Sequence, residues 1–242
     1  MCDFILMEHN KNQLGEQDSP KSALLNLLFN IVIPVLILSK WTDEAHLGPV
    51  KGLIVALAFP VIYGAWDLFS KKKWNFVSVL GVVSVLLTGG LALFKLDGFW
   101  FAVKEAAIPG IIGIVVLFTA KSKYNLVRML ILSPKLIKVE VLDAIIKEQK
   151  LEVPFEKLVI KTTYFFVLSF VASAILNFVL AIVILKSPAG TPEFNAELGK
   201  MTALSFPVIM IPSMAILIFS LWFLLRGITK MTGVHYNEVI RS

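Results

Sequence analysis

The chain has 242 residues, of which 57% are apolar and only 17% charged, with a mean hydropathy of +0.80. Soluble domains reach about 45 to 50% apolar and about 25% charged, so a soluble globule is excluded and lipid is the expected solvent for most of the sequence. The net charge of +6 reads as a topological bias rather than a nucleic-acid signal, and the lone Cys2 excludes an intrachain disulfide framework or thiolate cluster.

In chain order, residues 1–21 form a polar tail whose apolar patch, Phe4 to Met7, is too short for a signal-peptide core. The tail is expected to be cytoplasmic and the first hydrophobic segment uncleaved. Six apolar segments follow, at about 22–39, 50–69, 76–94, 102–120, 161–185 and 202–225, each near the roughly 20 residues that cross a bilayer as a helix. Helix is the assignment because unpaired backbone groups are costly in lipid and a barrel would show alternation. The predicted fold is therefore all-α and polytopic, with six transmembrane helices, a cytoplasmic loop over 121–160 and a cytoplasmic C-terminal tail over 226–242.

Placing both termini inside puts 17 Lys and Arg residues on the cytoplasmic side and six outside. That bias sets an N-in, C-in topology and a multi-pass protein of the cytoplasmic, or inner, membrane. Trp41, Trp66, Trp74, Trp100 and Trp222 fall at or near segment ends, where amphipathic rings settle among headgroups. Internal repetition is also visible. Pro60, Ile62, Gly64, Leu68, Phe69 and Ser70 recur 49 residues later as Pro109, Ile111, Gly113, Leu117, Phe118 and Thr119. Either spans 1–2 and 3–4 are duplicated hairpins, or the same packing rules recur in each helix.

The long connection predicts one amphipathic helix from Ser133, a cap with Pro134 behind it, to Gln149. Ile137, Val141, Leu142, Ile145 and Ile146 form its apolar stripe. It either docks on the bundle as a connector or lies in the headgroup layer, where it would meet lipid or a partner. Pro154 is expected to end it, with Phe155 to Ile160 leading into span 5.

No catalytic constellation is found. His9, His46 and His235 are scattered, and no HExxH, GxSxG or P-loop pattern occurs. No enzyme activity, cofactor or metal is expected. The candidate intramembrane polar path consists of Asn26, Asn30, Asp67, Lys104, Glu105 and Asn177. Asp67 has Lys71 four residues on, so it either forms an interfacial ion pair or couples to a proton or cation. Lys104 and Glu105 either snorkel apart into headgroups, or Lys104 points into an outer vestibule. The asparagines are interhelical glue or a binding site. Pro34, Pro60, Pro109, Pro207 and Pro212 are expected to kink their helices or to open a solute path.

Several stretches resemble the bacterial intracellular septation protein A family of small inner-membrane proteins. They are Leu87-Thr88-Gly89-Gly90-Leu91 before Leu93-Phe94, Phe101-Ala102-Val103-Lys104, and Asn125-Leu126-Val127-Arg128-Met129-Leu130. Leu151-Glu152-Val153-Pro154 before Phe155-Glu156-Lys157-Leu158, and Ala174-Ile175-Leu176-Asn177-Phe178-Val179, complete the set. The likeness spans about half the chain. The tail, the hairpin around Pro34 and Pro60 and the insert Ser133 to Gln149 are longer than is typical, which points to a distant branch. The resemblance implies a non-enzymatic scaffold in envelope maintenance or division, with membrane lipids and other envelope or division proteins as partners. The alternative is a small transporter of solute, ion or lipid. A protein that binds or moves lipid, motivated by the amphipathic loop, is a third reading.

Overall fold

Long apolar runs satisfy their own backbone by coiling, and the computed structural model is all-helical in its regular structure, with short turns between helices and no strand among the described residues. These are 24–25, 27–71, 76–122, 124–131 and 139–234, with the side chains of 67–71, 76–82, 130–131 and 140 outside the description. Outside it too are the tail, Asn26, Lys72 to Asn75 and the expected cap at Ser133 and Pro134. The helices are α1 (Leu28–Lys40), α2 (Pro49–Lys71), α3 (Phe76–Leu93), α4 (Gly98–Thr119), α5 (Leu126–Ile131), α6 (Val139–Glu148), α7 (Glu152–Ile184), α8 (Pro192–Ser205) and α9 (Ile211–Thr232). Four stretches are long and apolar enough to cross a membrane: Pro49–Trp66, Gly98–Thr119, Glu152–Ile184 and the continuous helix Pro192–Thr232. The other two expected spans coincide with shorter apolar helices, Leu28–Lys40 and Val83–Leu93.

Helix ends differ from the apolar runs for identifiable reasons. α7 has 33 residues, about 50 Å at 1.5 Å per residue, against a hydrocarbon core of about 30 Å. It starts nine residues before the expected span, and Pro154, expected as a terminator, sits in its first turn, where a missing N–H is harmless. What ends α6 is Lys150, left-handed at φ 53°. Its N–H bonds the Lys147 carbonyl and the Leu151 N–H bonds that of Ile146, a Schellman closure without the usual glycine. Lys95 closes α3 in the same way, at φ 52°.

The described chain divides into two units, residues 1–96 with 187–203, and residues 97–186 with 204–242. In the first, α2 packs on α1 and α3. α8 lies close to α1, since a Cβ added at Gly199 would come 3.3 Å from the Val35 carbonyl oxygen. In the second, α7 packs along α4 and α9. α4 and α7 run antiparallel, with Gly98 against Leu185, Gly113 against Phe170 and Asn125 against Thr163. Val116, Val127, Phe155, Val159, Phe166, Leu224 and Ile228 form the core, and Leu142 and Ile146 of α6 are buried in it. Of the expected stripe, Leu142 and Ile146 thus dock on protein, Ile145 is half-buried, Val141 is exposed, and Ile137 lies outside the described residues.

The prolines do not interrupt their helices. Pro60 lies inside α2 and Pro109 inside α4. A five-residue π turn, Leu28–Val32, precedes Ile33-Pro34, and a second, Phe206–Met210, contains Pro207 and precedes Ile211-Pro212. In each, the isoleucine N–H reaches back five residues, from Ile33 to the Leu28 carbonyl and from Ile211 to that of Phe206. A wide turn beside a residue without an N–H keeps the helix running where the ladder would otherwise break.

Candidate functional site

Lys104 and Glu105 stand about two turns into α4, a segment otherwise free of charge up to Thr119. Their side chains do not splay into headgroups as snorkelling would require. Lys104 Nζ lies 2.6 Å from Glu105 Oε1, and the lysine side chain is only 7% exposed. Adjacent helical residues do not naturally face each other, so the glutamate folds across to its neighbour. Two charges leave water more cheaply as a pair than singly, which is why the lysine can be buried so near an apolar stretch.

Asn177 lies on α7 at about the depth of this pair, as the α4–α7 register places it. Its Nδ2 donates 2.8 Å to the Ser173 carbonyl one turn back. Asn30 is half-buried within the π turn of the first unit, so it and the Lys104–Glu105 pair belong to different units. Asn26 and the Asp67 side chain, with its expected Lys71 partner, lie outside the described residues. Of the polar residues picked from sequence, the structure joins only Lys104 and Glu105 among those it describes.

A second polar centre went unmarked in the sequence. Asn125, 2% exposed, accepts the Arg128 N–H at 3.1 Å and so caps α5. Its Nδ2 donates 2.6 Å to the Ala120 carbonyl and 2.9 Å to Thr163 Oγ1. Thr163 spends its own proton on the Val159 carbonyl at 2.8 Å, leaving its lone pairs to receive the amide. Arg128, one turn on, pairs with Glu156 of α7. Asparagine three residues before a donor N–H is a cap signature, and that was the available signal; Thr163, 38 residues away, offered none.

In the first unit, Phe29, Phe59, Ile62, Tyr63 and Trp66 line a groove of about 250 Å³. Phe29 stacks on Tyr63 at 5.7 Å and on Phe59 at 6.3 Å. Its walls are aromatic and aliphatic, suited to hydrocarbon rather than to a polar solute. Among the described residues, no three His, Cys, Asp or Glu side chains group to hold a metal.

These features define a helical protein with four helices long and apolar enough to cross a membrane and polar centres at both ends of the α4–α7 pair. No protein-family model, curated protein or solved structure matches the chain.

Proposed function

We propose that this chain is a non-enzymatic, multi-pass protein of the cytoplasmic membrane, a scaffold of the septation protein A kind in envelope maintenance or division. In this reading both termini are cytoplasmic and α1 and α3 complete six spans, α3 continuing through residues 76–82. The two proline-bearing hairpins, α1–α2 and α3–α4, are then candidates for a duplication. The carrying observation is that polar groups of the expected path that the structure describes are engaged locally: Asn177 with its own helix and Lys104 with Glu105. The apolar groove on the first unit points the same way.

The face for a partner is the outer side of α6, where Val141, Asp143, Ala144, Lys147 and Glu148 are exposed. Deleting the helix would remove Leu142 and Ile146 from the core, so the test is surface substitution. Val141→Asp with Lys147→Glu should abolish recovery of partner proteins from cross-linked membranes while leaving the melting temperature unchanged. Unchanged recovery would defeat the scaffold reading.

One observation favours transport instead: a lysine buried in a membrane-crossing helix at the depth of an asparagine. In proteoliposomes, flux of ions, amino acids or lipids that is lost in Lys104→Gln would establish that reading. Absence of flux would leave the scaffold.

A further inference from the structure

We infer that the second unit carries a binding site for one anionic phospholipid, built by Lys161 and Phe165 of α7 and by Phe219, Trp222, Phe223 and Arg226 of α9. Phe165 meets Phe219 and Phe223 edge-on, at 5.4 and 5.1 Å, and Phe219 leans on Trp222 at 5.8 Å. Phe219 and Trp222 are 46% and 48% exposed, so the cluster is a surface ladder that a fatty-acyl chain can cover. Both cations stand at it: Lys161 Nζ is 5.3 Å from the Phe223 ring centre and the Arg226 guanidinium 5.0 Å from that of Trp222.

The charge pattern selects the ligand. Neither Lys161 nor Arg226 has a carboxylate partner among the described residues, and the sequence holds no Asp or Glu from 157 to 192 or from 198 to 237. Ring faces attract a cation but do not neutralise it. Arginine over an aromatic still presents N–H donors outward, matched to phosphate oxygens. Exposed tryptophan marks the headgroup level, so the phosphodiester falls at the cations while the chains lie along Phe219 and Phe165. A zwitterionic lipid would bring its own ammonium into the same place and lose that match. The site requires only that these helices lie in a bilayer and is independent of the scaffold reading.

The test is native mass spectrometry of the full chain in mild detergent, titrated with phosphatidylglycerol or phosphatidylcholine. One phosphatidylglycerol should be retained in preference to phosphatidylcholine. Lys161→Gln with Arg226→Gln should weaken that retention roughly thirtyfold, from about a factor of five to six per basic residue. Phe219→Ala with Trp222→Ala, which keeps both charges, should also weaken it, while Lys161→Arg should preserve it. Lys157→Gln with Lys230→Gln, matched in charge but one helical turn beyond the two cations that meet the rings, should leave it within about threefold of the parent. Equal retention of the two lipids would overturn the site. So would unchanged binding in the Lys161 and Arg226 variant, or an equal loss in the Lys157 and Lys230 variant. Thermal melting of each variant separates loss of binding from loss of fold.

Discussion

Asn125→Ala should be among the most damaging single changes outside the apolar core, and its size can be worked bond by bond. The amide caps α5 at 3.1 Å, and losing a cap costs about 1 kcal/mol. It also donates to the carbonyl of Ala120 at 2.6 Å, and Ala120 is 3% exposed. A buried acceptor stripped of its donor costs about 1–3 kcal/mol. Thr163 keeps its bond to Val159 and adds little. The total is about 2–4 kcal/mol, or a fall of roughly 5–15 °C in melting temperature for a chain of this size. Asn125→Asp separates the two parts. A carboxylate retains the cap but sets a second oxygen against the Ala120 carbonyl, so this variant should melt no higher than the alanine one. Near-ultraviolet circular dichroism in mild detergent reads both. An Asp variant melting within about 2 °C of the parent would show that the Ala120 and Thr163 contacts carry no weight.

The same melts test four further expectations. Leu142→Ala should cost about 2–5 kcal/mol, as for a packed core leucine, and Val141→Ala less than about 1 kcal/mol; equal effects would mean that α6 is not docked. Gly98→Ala puts a Cβ 2.7 Å from the Leu185 carbonyl oxygen and should cost about 1–3 kcal/mol. Gly110→Ala meets nothing within 4 Å and should be neutral or gain up to about 1 kcal/mol. Lys150→Gly relieves a left-handed lysine at φ 53° and should stabilise by about 0.5–1 kcal/mol; a lower melting temperature would contradict the closure drawn for α6. Glu105→Gln, which removes the carboxylate 2.6 Å from a buried ammonium, should cost about 3 kcal/mol, and adding Lys104→Met should recover most of it. Additive losses would show that the pair is not coupled.

Helical class was legible because hydropathy alone forces backbone groups in lipid to pair within one segment. Helix ends were less so. Hydropathy marks where a chain meets hydrocarbon, whereas α7 already runs through Glu152, Glu156 and Lys157 because nothing between Leu151 and the apolar span interrupts it. Lys150 closes α6 in a conformation usually left to glycine, so composition gave no warning. Proline announced a disturbance at 34 and 212 but not that a π turn would absorb it. At the site, sequence marked Lys104 and Glu105 as polar residues in an apolar span but not that they pair with each other, and it could not join Asn125 to Thr163 across 38 residues.

The distribution of hydrogen bonds bears on why so apolar a chain keeps buried hydroxyls at all. Thr42, Thr88, Thr162, Thr163, Ser220 and Thr232 are all buried, and each donates to the carbonyl four residues before it. A hydroxyl satisfied in this way presents chiefly its methyl, methylene and lone pairs to the next helix. It lets backbones approach without leaving a donor for a passing solute. Other polar side chains do cross between segments, and besides Asn125 with Thr163 and Arg128 with Glu156 two of them reach the backbone beside a proline: Ser169 donates to the Ser213 carbonyl in the turn after Pro212, and Asn195 to the Pro49 carbonyl where α2 begins. Both acceptors are backbone carbonyls at or beside a proline. In these two places a polar side chain ties segments together where proline disturbs the chain, so the hydroxyl or amide is spent on holding helices rather than on lining a gap.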